Sequence, residues 1–335
     1  MDIRNLVKGN SMKIVVIGLG SMGKRRIRLI KEILPSAIIY GIDINPDRRS
    51  ACEIEMNIKT TDSLSNIIDD GIDCAFVCTS PLSHSQIINH CLYMGLHVFT
   101  ELNLITDGYD ENTQIANEKN LVLFISSTFL YRAETRFIIN QVHNADYPLN
   151  YIYHVGQYLP DWHPWEDYQN FFVGDKKTNG CREIFAIELP WLIEAFGPIT
   201  NIQVQKGIMS DLKIDYCDNY IVIAEHQTGH KGVLAVDVVS RKAVRNFEVF
   251  GRELYIYWNG TPEGLYLYDF EIKRDNNINL YNNVYQIGNY SRFIVENAYL
   301  NEIKAFFSAI NNEEQPIYDF KKDKEVLSLI DRIEA

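Results

Sequence analysis

Residues 14–17 form an unbroken apolar run closed by Gly18, the pattern of a strand buried on both faces. Helical periodicity follows over residues 21–33. Residues 37–42 repeat the buried run and end at Asp43, and residues 73–79, 97–100 and 121–126 repeat it again. Helices are expected between them at 82–94 and 110–118. Strands alternating with helices at this spacing predict βαβ units, hence a parallel sheet with helices on both sides.

After about residue 127 the texture changes. Residues 150–158, 202–209, 219–226, 231–240, 245–250 and 253–258 alternate or run apolar in short stretches separated by turn residues. That pattern predicts a large open, mainly antiparallel sheet with one face free for packing or assembly. Two helices are expected at 291–310 and 322–333, and the Asn-rich stretch 276–283 reads as an exposed loop. The resulting α/β division has three parts. Residues 1–11 form a flexible N-terminal extension, 12–128 a doubly wound Rossmann domain, and 129–335 a C-terminal α/β domain for substrate and oligomerisation.

Composition narrows the function classes. The 335 residues are 46% hydrophobic and 23% charged, close to an ordinary globular protein, and the formal net charge is −12. Such a charge argues against a nucleic-acid or anionic-membrane partner as the main role. The apolar runs are too short to cross a bilayer, and no charged-then-apolar leader opens the chain. Six cysteines (Cys52, Cys74, Cys78, Cys91, Cys181, Cys217) lack C-x-x-C or zinc spacing and read as reduced, buried thiols of a cytoplasmic protein. No metal site is expected: His226 and His230 have H-x-x-x-H spacing but fall on a turn, where the two rings would not align.

Gly18-Leu19-Gly20-Ser21-Met22-Gly23 fits G-x-G-x-x-G at the first strand-to-helix turn. Gly18 permits the tight turn, Gly20 lets backbone approach a pyrophosphate, and Gly23 allows close helix–strand packing. The helix N-terminus, at Ser21 and Met22, offers free N–H groups and partial positive charge to the phosphates. Asp43 ends the second strand about twenty residues beyond Gly23. A carboxylate there binds ribose hydroxyls and repels a 2′-phosphate, which points to NAD rather than NADP. Lys24, Arg25, Arg48 and Arg49 lie nearby in sequence, either as phosphate contacts or as a solvated basic face.

Further motifs carry a resemblance. Cys78-Thr79-Ser80-Pro81-Leu82-Ser83-His84, then Gly95-Leu96-His97-Val98-Phe99-Thr100-Glu101 after a helix, resembles the Gfo/Idh/MocA oxidoreductases in their fourth and fifth strands. The segments 157–162 and 301–310 are similar to later parts of the same family, so the resemblance runs over nearly the whole chain from Met12. It implies a Rossmann domain followed by an α/β domain with an open antiparallel sheet. It also implies NAD(P)-linked chemistry on sugars, cyclitols, sugar nucleotides or related polyols. Thr79, Ser80, Pro81 and His84 would then lie along the cofactor, with Glu101 near the nicotinamide ribose.

Two positions depart from the family pattern. Where the family has Glu-Lys-Pro, this chain has Glu101-Leu102-Asn103, and leucine can neither take a proton nor lower a hydroxyl pKa. Aligning the later signature backward from Phe196-Gly197 puts Glu183 on the family's acid and Ile187 on its histidine. Biliverdin reductases also lack the lysine and still reduce their substrates, so its absence does not exclude chemistry.

Replacement groups are sought in residues 154–166, dense in His154, Tyr158, Asp161, Trp162, His163, Trp165 and Glu166. His163 and Glu183 are the expected proton-handling groups. Tyr158, Asp161, Trp162, Glu166 and Arg182 are the expected substrate contacts, with Arg182 suited to a carboxylate or phosphate. An aromatic packing loop is the alternative for the segment. The expected activity is hydride transfer between NAD and a sugar-like, cyclitol or sugar-nucleotide alcohol or ketone, in a homodimer or homotetramer. The alternative is a non-catalytic dinucleotide- or sugar-sensing regulator on the same scaffold.

Overall fold

The computed structural model describes residues 11–162, 167–288 and 291–335, and only the backbone of 68–70. All but Ser11 of the expected N-terminal extension therefore lies outside the described residues. The chain forms two compact units. The first is the N-terminal part up to Ser127 joined by Tyr299–Lys324, and the second is Thr128–Ala298 with Glu325–Ala335.

The first unit is built on β1 (Lys13–Ile17), α1 (Ser21–Ile33), β2 (Ile38–Ile42), α2 (Pro46–Met56), β3 (Lys59–Thr61), β4 (Cys74–Val77), α3 (His84–Tyr93), β5 (His97–Thr100), α4 (Tyr109–Glu118) and β6 (Leu123–Ile125). Its six strands pair in the order β3-β2-β1-β4-β5-β6, all parallel. The order reverses between β1 and β4, the switch point at which doubly wound sheets bind ligands. Helix α2 and strand β3 escape the hydrophobic pattern because they are mostly polar, with Cys52 the one buried residue of α2. Local signals hold α2 instead: the Asn45 side chain accepts from the N–H groups of Asp47 and Arg48, and Pro46 opens the first turn.

One face of this sheet carries a phenylalanine ladder. Phe76, Phe99 and Phe124 are register neighbours on β4, β5 and β6, stacked at 4.9 and 5.1 Å between ring centroids. Phe306, late in the chain on α7 (Glu296–Ile310), sets its ring edge against all three at 5.3–5.7 Å. This cover is why residues 299–324 join the first unit rather than staying with the residues that precede them.

The second unit contains α5 (Ala133–His143), β7 (Asn150–Gly156), α6 (Gly180–Phe196), β8 (Ile199–Gly207), β9 (Asn219–His226), β10 (Lys231–Asp237), β11 (Val244–Phe250), β12 (Tyr255–Trp258), β13 (Leu265–Asp269) and β14 (Arg274–Asn277). The sheet order is β14-β13-β12-β11-β7-β10-β9-β8, antiparallel except where β10 runs parallel to β7. Asn276 and Asn277, expected in a loop, pair with Leu267 and Tyr266 as the edge strand β14. Helix α8 (Phe320–Glu334) closes the chain. Alternation sorts the sheet's faces: Tyr151, Tyr153 and Val155 of β7 are buried, whereas Ile152 is 49% exposed. Across β9, Ile221 and Ile223 are 50% and 46% exposed on the same outer face.

Candidate functional site

The glycine turn is shaped for a dinucleotide. Gly18 has φ +93°, and a Cβ there would lie 2.6 Å from the Cys78 carbonyl oxygen. A Cβ on Gly23 would lie 1.9 Å from the Gly18 carbonyl oxygen, so the helix can approach the turn only without a side chain. Gly20 meets nothing within 4 Å and leaves open space beside the backbone. As N-cap of α1 it brings no side chain to the first-turn N–H groups at Ser21 and Met22, and no acid lies in that turn. Asp43 is buried; its Oδ2 accepts from the Leu19 N–H at 2.9 Å and its Oδ1 from the Asn45 N–H at 2.8 Å. Both bonds aim the carboxylate at the turn and leave lone pairs for ribose hydroxyls.

The nearby cations are largely engaged. Lys24 pairs with Glu55 at 2.7 Å, and Arg49 donates to the Asp43 and Ile44 carbonyls. Arg48 stays half-exposed, 3.9 Å from Asp43 Oδ2. These residues fit NAD: a turn for the pyrophosphate, a helix end for its charge and an acid for the adenosine ribose.

Thr79, Ser80 and Pro81 follow β4 across the switch point, and the Ser83 hydroxyl braces them through Thr79 Oγ1 and the Ser80 carbonyl, both at 2.8 Å. His84 is buried beneath this loop. Its Nε2 lies 3.0 Å from the Thr79 carbonyl and its Nδ1 lies 2.6 Å from Asn103 Oδ1, while burial lowers its pKa. The ring therefore shapes the loop and presents no free nitrogen. Glu101 is clasped by Arg26, at 2.6 Å from Nε and 3.0 Å from Nη2, and the same Nη2 reaches Glu302 at 2.8 Å.

In the second unit, α6 is capped by Asn179, whose side chain accepts from the Arg182 N–H. Glu183 and Ile187 lie one turn apart on this helix. Both line a cavity of about 140 Å³ with Gln157, Trp162, Arg245 and Phe293. Two polar atoms in its wall are buried without a hydrogen-bond partner: Oε2 of Glu183 and Nε1 of Trp162. Burial pushes the Glu183 carboxyl up to about 7.

The other expected substrate residues are arranged differently. Arg182 is bound through Nη2 to Asp331 at 2.7 Å and through Nη1 to Glu334, so its guanidinium braces α8 and is already paired. Tyr158 is covered by Arg241, 3.6 Å above its ring centroid, and Asp161 is exposed. His154 points to the outer side of the sheet and bonds Asp237 at 2.8 Å. His163, Trp165 and Glu166 lie outside the described residues.

Comparison with known proteins agrees with this geometry. The model of the oxidoreductase family with NAD-binding Rossmann fold, Gfo/Idh/MocA, matches residues 12–127. Myo-inositol 2-dehydrogenase of Thermotoga maritima is 25% identical over 95% of this chain and 94% of its own length. Residues 12–127 carry the Gfo/Idh/MocA NAD-binding Rossmann domain. The fold is shared along its length by UDP-N-acetylglucosamine 3-dehydrogenase from Acidithiobacillus ferrooxidans, with a TM-score of 0.73, 17% identity and 97% of each chain covered. The WlbA dehydrogenase of Bordetella pertussis, solved with NADH and UDP-GlcNAcA, gives a TM-score of 0.75 at 13% identity over 97% of this chain and 95% of its own.

The chain departs from the Gfo/Idh/MocA pattern at two places. Leu102 stands beside Glu101, and Ile187 contributes apolar surface to the cavity that Glu183 lines. Two arginines escaped the sequence reading. Arg26 lies inside the helix expected over 21–33, and Arg245 opens the strand expected over 245–250. Arg245 did carry a signal, because it shares the buried register of β11 with Phe247 and Val249, where a charge needs a reason.

Proposed function

We propose that this NAD-binding protein is a dehydrogenase or reductase acting on a sugar-like, cyclitol or sugar-nucleotide alcohol or ketone. Glu183 is its proton-handling group. The observation that carries the reading is Glu183 itself: a carboxyl in a cavity wall, with Oε2 unpartnered and a pKa raised to about 7. A group poised near neutrality can take a hydroxyl proton as carboxylate and return it as carboxylic acid.

When bound, NAD supplies the hydride acceptor, and NADH the donor. In the oxidative direction the carbinol O–H proton passes to Glu183 while the carbinol hydrogen leaves as hydride, and a carbonyl forms. Reduction reverses each transfer. Trp162 and Ile187 limit water beside the carboxyl, and its desolvation keeps the pKa high. The similarity to myo-inositol 2-dehydrogenase and to UDP-N-acetylglucosamine 3-dehydrogenase supports the substrate class.

Absorbance of NADH during a screen of cyclitols, sugars and sugar nucleotides tests this reading. Turnover that Glu183→Gln lowers about 10²–10⁴-fold, with NADH binding intact, is the expected result. Ligand binding with no turnover anywhere in the screen favours the sensor reading, which the apolar residues Leu102 and Ile187 motivate.

We further propose a homodimer or homotetramer built on the outer face of the second sheet. Ile152, Val233 and Ile223 are register neighbours across β7, β10 and β9 and form an apolar row there. The free, mostly buried cysteines support a reducing, cytoplasmic setting.

A further inference from the structure

Arg245 is held in the cavity wall by a carboxylate that has no capacity left for anything else. Glu188, fully buried on α6, accepts from Arg245 Nε at 2.9 Å and faces Nη2 at 2.7 Å, both through Oε1. Its Oε2 accepts from the Tyr153 hydroxyl at 2.6 Å and from Trp191 Nε1 at 2.8 Å. Phe129 lies against the guanidinium, 4.6 Å from ring centroid to Cζ. The side edge of the guanidinium is thereby fixed. Tyr153 also hydrogen-bonds this guanidinium, which lines the cavity wall. A planar fork of two parallel N–H groups matches the two oxygens of a carboxylate.

The rest of the cavity's polar inventory points the same way. Trp162 Nε1–H is a donor without an acceptor, while the Gln157 amide can either donate or accept. The unpartnered acceptor in the wall is Glu183, and Ile184, Ile187 and Phe293 are among the apolar lining residues. Arg182, whose sequence position suggested anion binding, is occupied by Asp331 and Glu334. Arg245 is the cation that faces the cavity.

We propose that the substrate of this site bears a carboxylate, a sugar acid rather than a neutral sugar or cyclitol, bound by the Arg245 guanidinium with Trp162 Nε1–H as a second donor. This rests on the reading of the Glu183 cavity as the substrate site.

The test uses the full chain with NAD and with NADH in separate arms, and glucuronate and galacturonate as probes beside glucose, galactose, myo-inositol and glucose 6-phosphate. Thermal-shift titration reads binding, and NADH absorbance reads turnover. Wild type is expected to bind the uronates at least about tenfold more tightly than the neutral probes. Arg245→Lys should keep the charge opposite Glu188 yet lose most of that preference, and Trp162→Phe should weaken uronate binding a few-fold at unchanged melting temperature. Arg245→Gln should abolish the preference. If that variant fails to fold, the lysine and phenylalanine variants decide.

Equal binding of neutral probes and uronates, no binding of uronates, preference for glucose 6-phosphate, or a preference unmoved by Arg245→Lys would each overturn the proposal. NADH formation from a neutral sugar alone refutes the acid and leaves the dehydrogenase standing. Uronate binding without turnover of any probe refutes the dehydrogenase and leaves the acid standing.

Discussion

Nε of Arg26 lies 2.6 Å from Oε1 of Glu101, and its Nη2 lies 3.0 Å from Oε2, so one guanidinium edge clasps the whole carboxylate. The residue expected at the nicotinamide ribose is thus fixed from beneath by a cation of α1. Glu302 is buried against the same nitrogen and also accepts from Ser126 Oγ and the Ser127 N–H. Burial raises the Glu302 pKa, while Arg26 opposes that rise.

Arg26→Ala would leave two carboxyl groups desolvated without their counter-charge. The expected cost is about 3–5 kcal/mol, the range for breaking a buried ion pair by removing one partner. Urea unfolding at neutral pH measures it. A variant as stable as wild type would contradict the pairing.

Asp43→Asn keeps the shape of the ribose acid and removes its charge. NAD should bind about tenfold more weakly, and the disadvantage of NADP should shrink as repulsion of the 2′-phosphate disappears. Fluorescence titration with NADH and NADPH reads both. Unchanged discrimination would mean that Arg48 or another group sets the preference.

The pH dependence of turnover reports Glu183. Oxidation needs the carboxylate, so its rate should rise with pH through about 7, and reduction should fall over the same window. The same shift links to stability. A carboxyl whose folded pKa stands above the ordinary 4.5 binds its proton more tightly in the folded chain. Its contribution is complete below pH 4.5 and is lost as pH rises to about 7. Glu183→Gln should flatten the rate profile and make the chain relatively more stable above that window. Paired rate and melting measurements across pH check the two signs.

The outer sheet face tests assembly. Ile221→Asp with Ile223→Asp should lower the mass measured by light scattering toward the monomer. Two half-exposed positions should disturb the fold of one chain by no more than about 0.5 kcal/mol each. An unchanged mass would place the interface elsewhere.

Much of the fold is legible because strands buried on both faces announce themselves as apolar runs, and the glycine turn is a local chemical requirement. Elements held by caps or partial burial are quieter: α2 buries only Cys52, β3 is Lys-Thr-Thr, and α5 buries Glu134 and Thr135 beside Ile138 and Val142. The site divides along the same line. Gly18, Gly23 and Asp43 act through their own backbone surroundings, so their spacing suffices. Whether Arg182 or Arg245 is the available cation depends on Asp331, Glu334 and Glu188, partners the tertiary fold supplies from elsewhere in the chain. No local pattern encodes that choice.

The covering of the phenylalanine ladder by Phe306 has a consequence for birth on the ribosome. Residues up to Ser127 hold every strand of the NAD-binding sheet, but its lid and Glu302 are made about 175 residues later. At roughly 5–20 residues per second, the nascent sheet waits about ten seconds or more with Phe76, Phe99 and Phe124 uncovered and Arg26 one carboxylate short. The sheet is therefore translated well before it can be finished, and a chain cut before α7 would carry an adhesive, unsealed nucleotide fold.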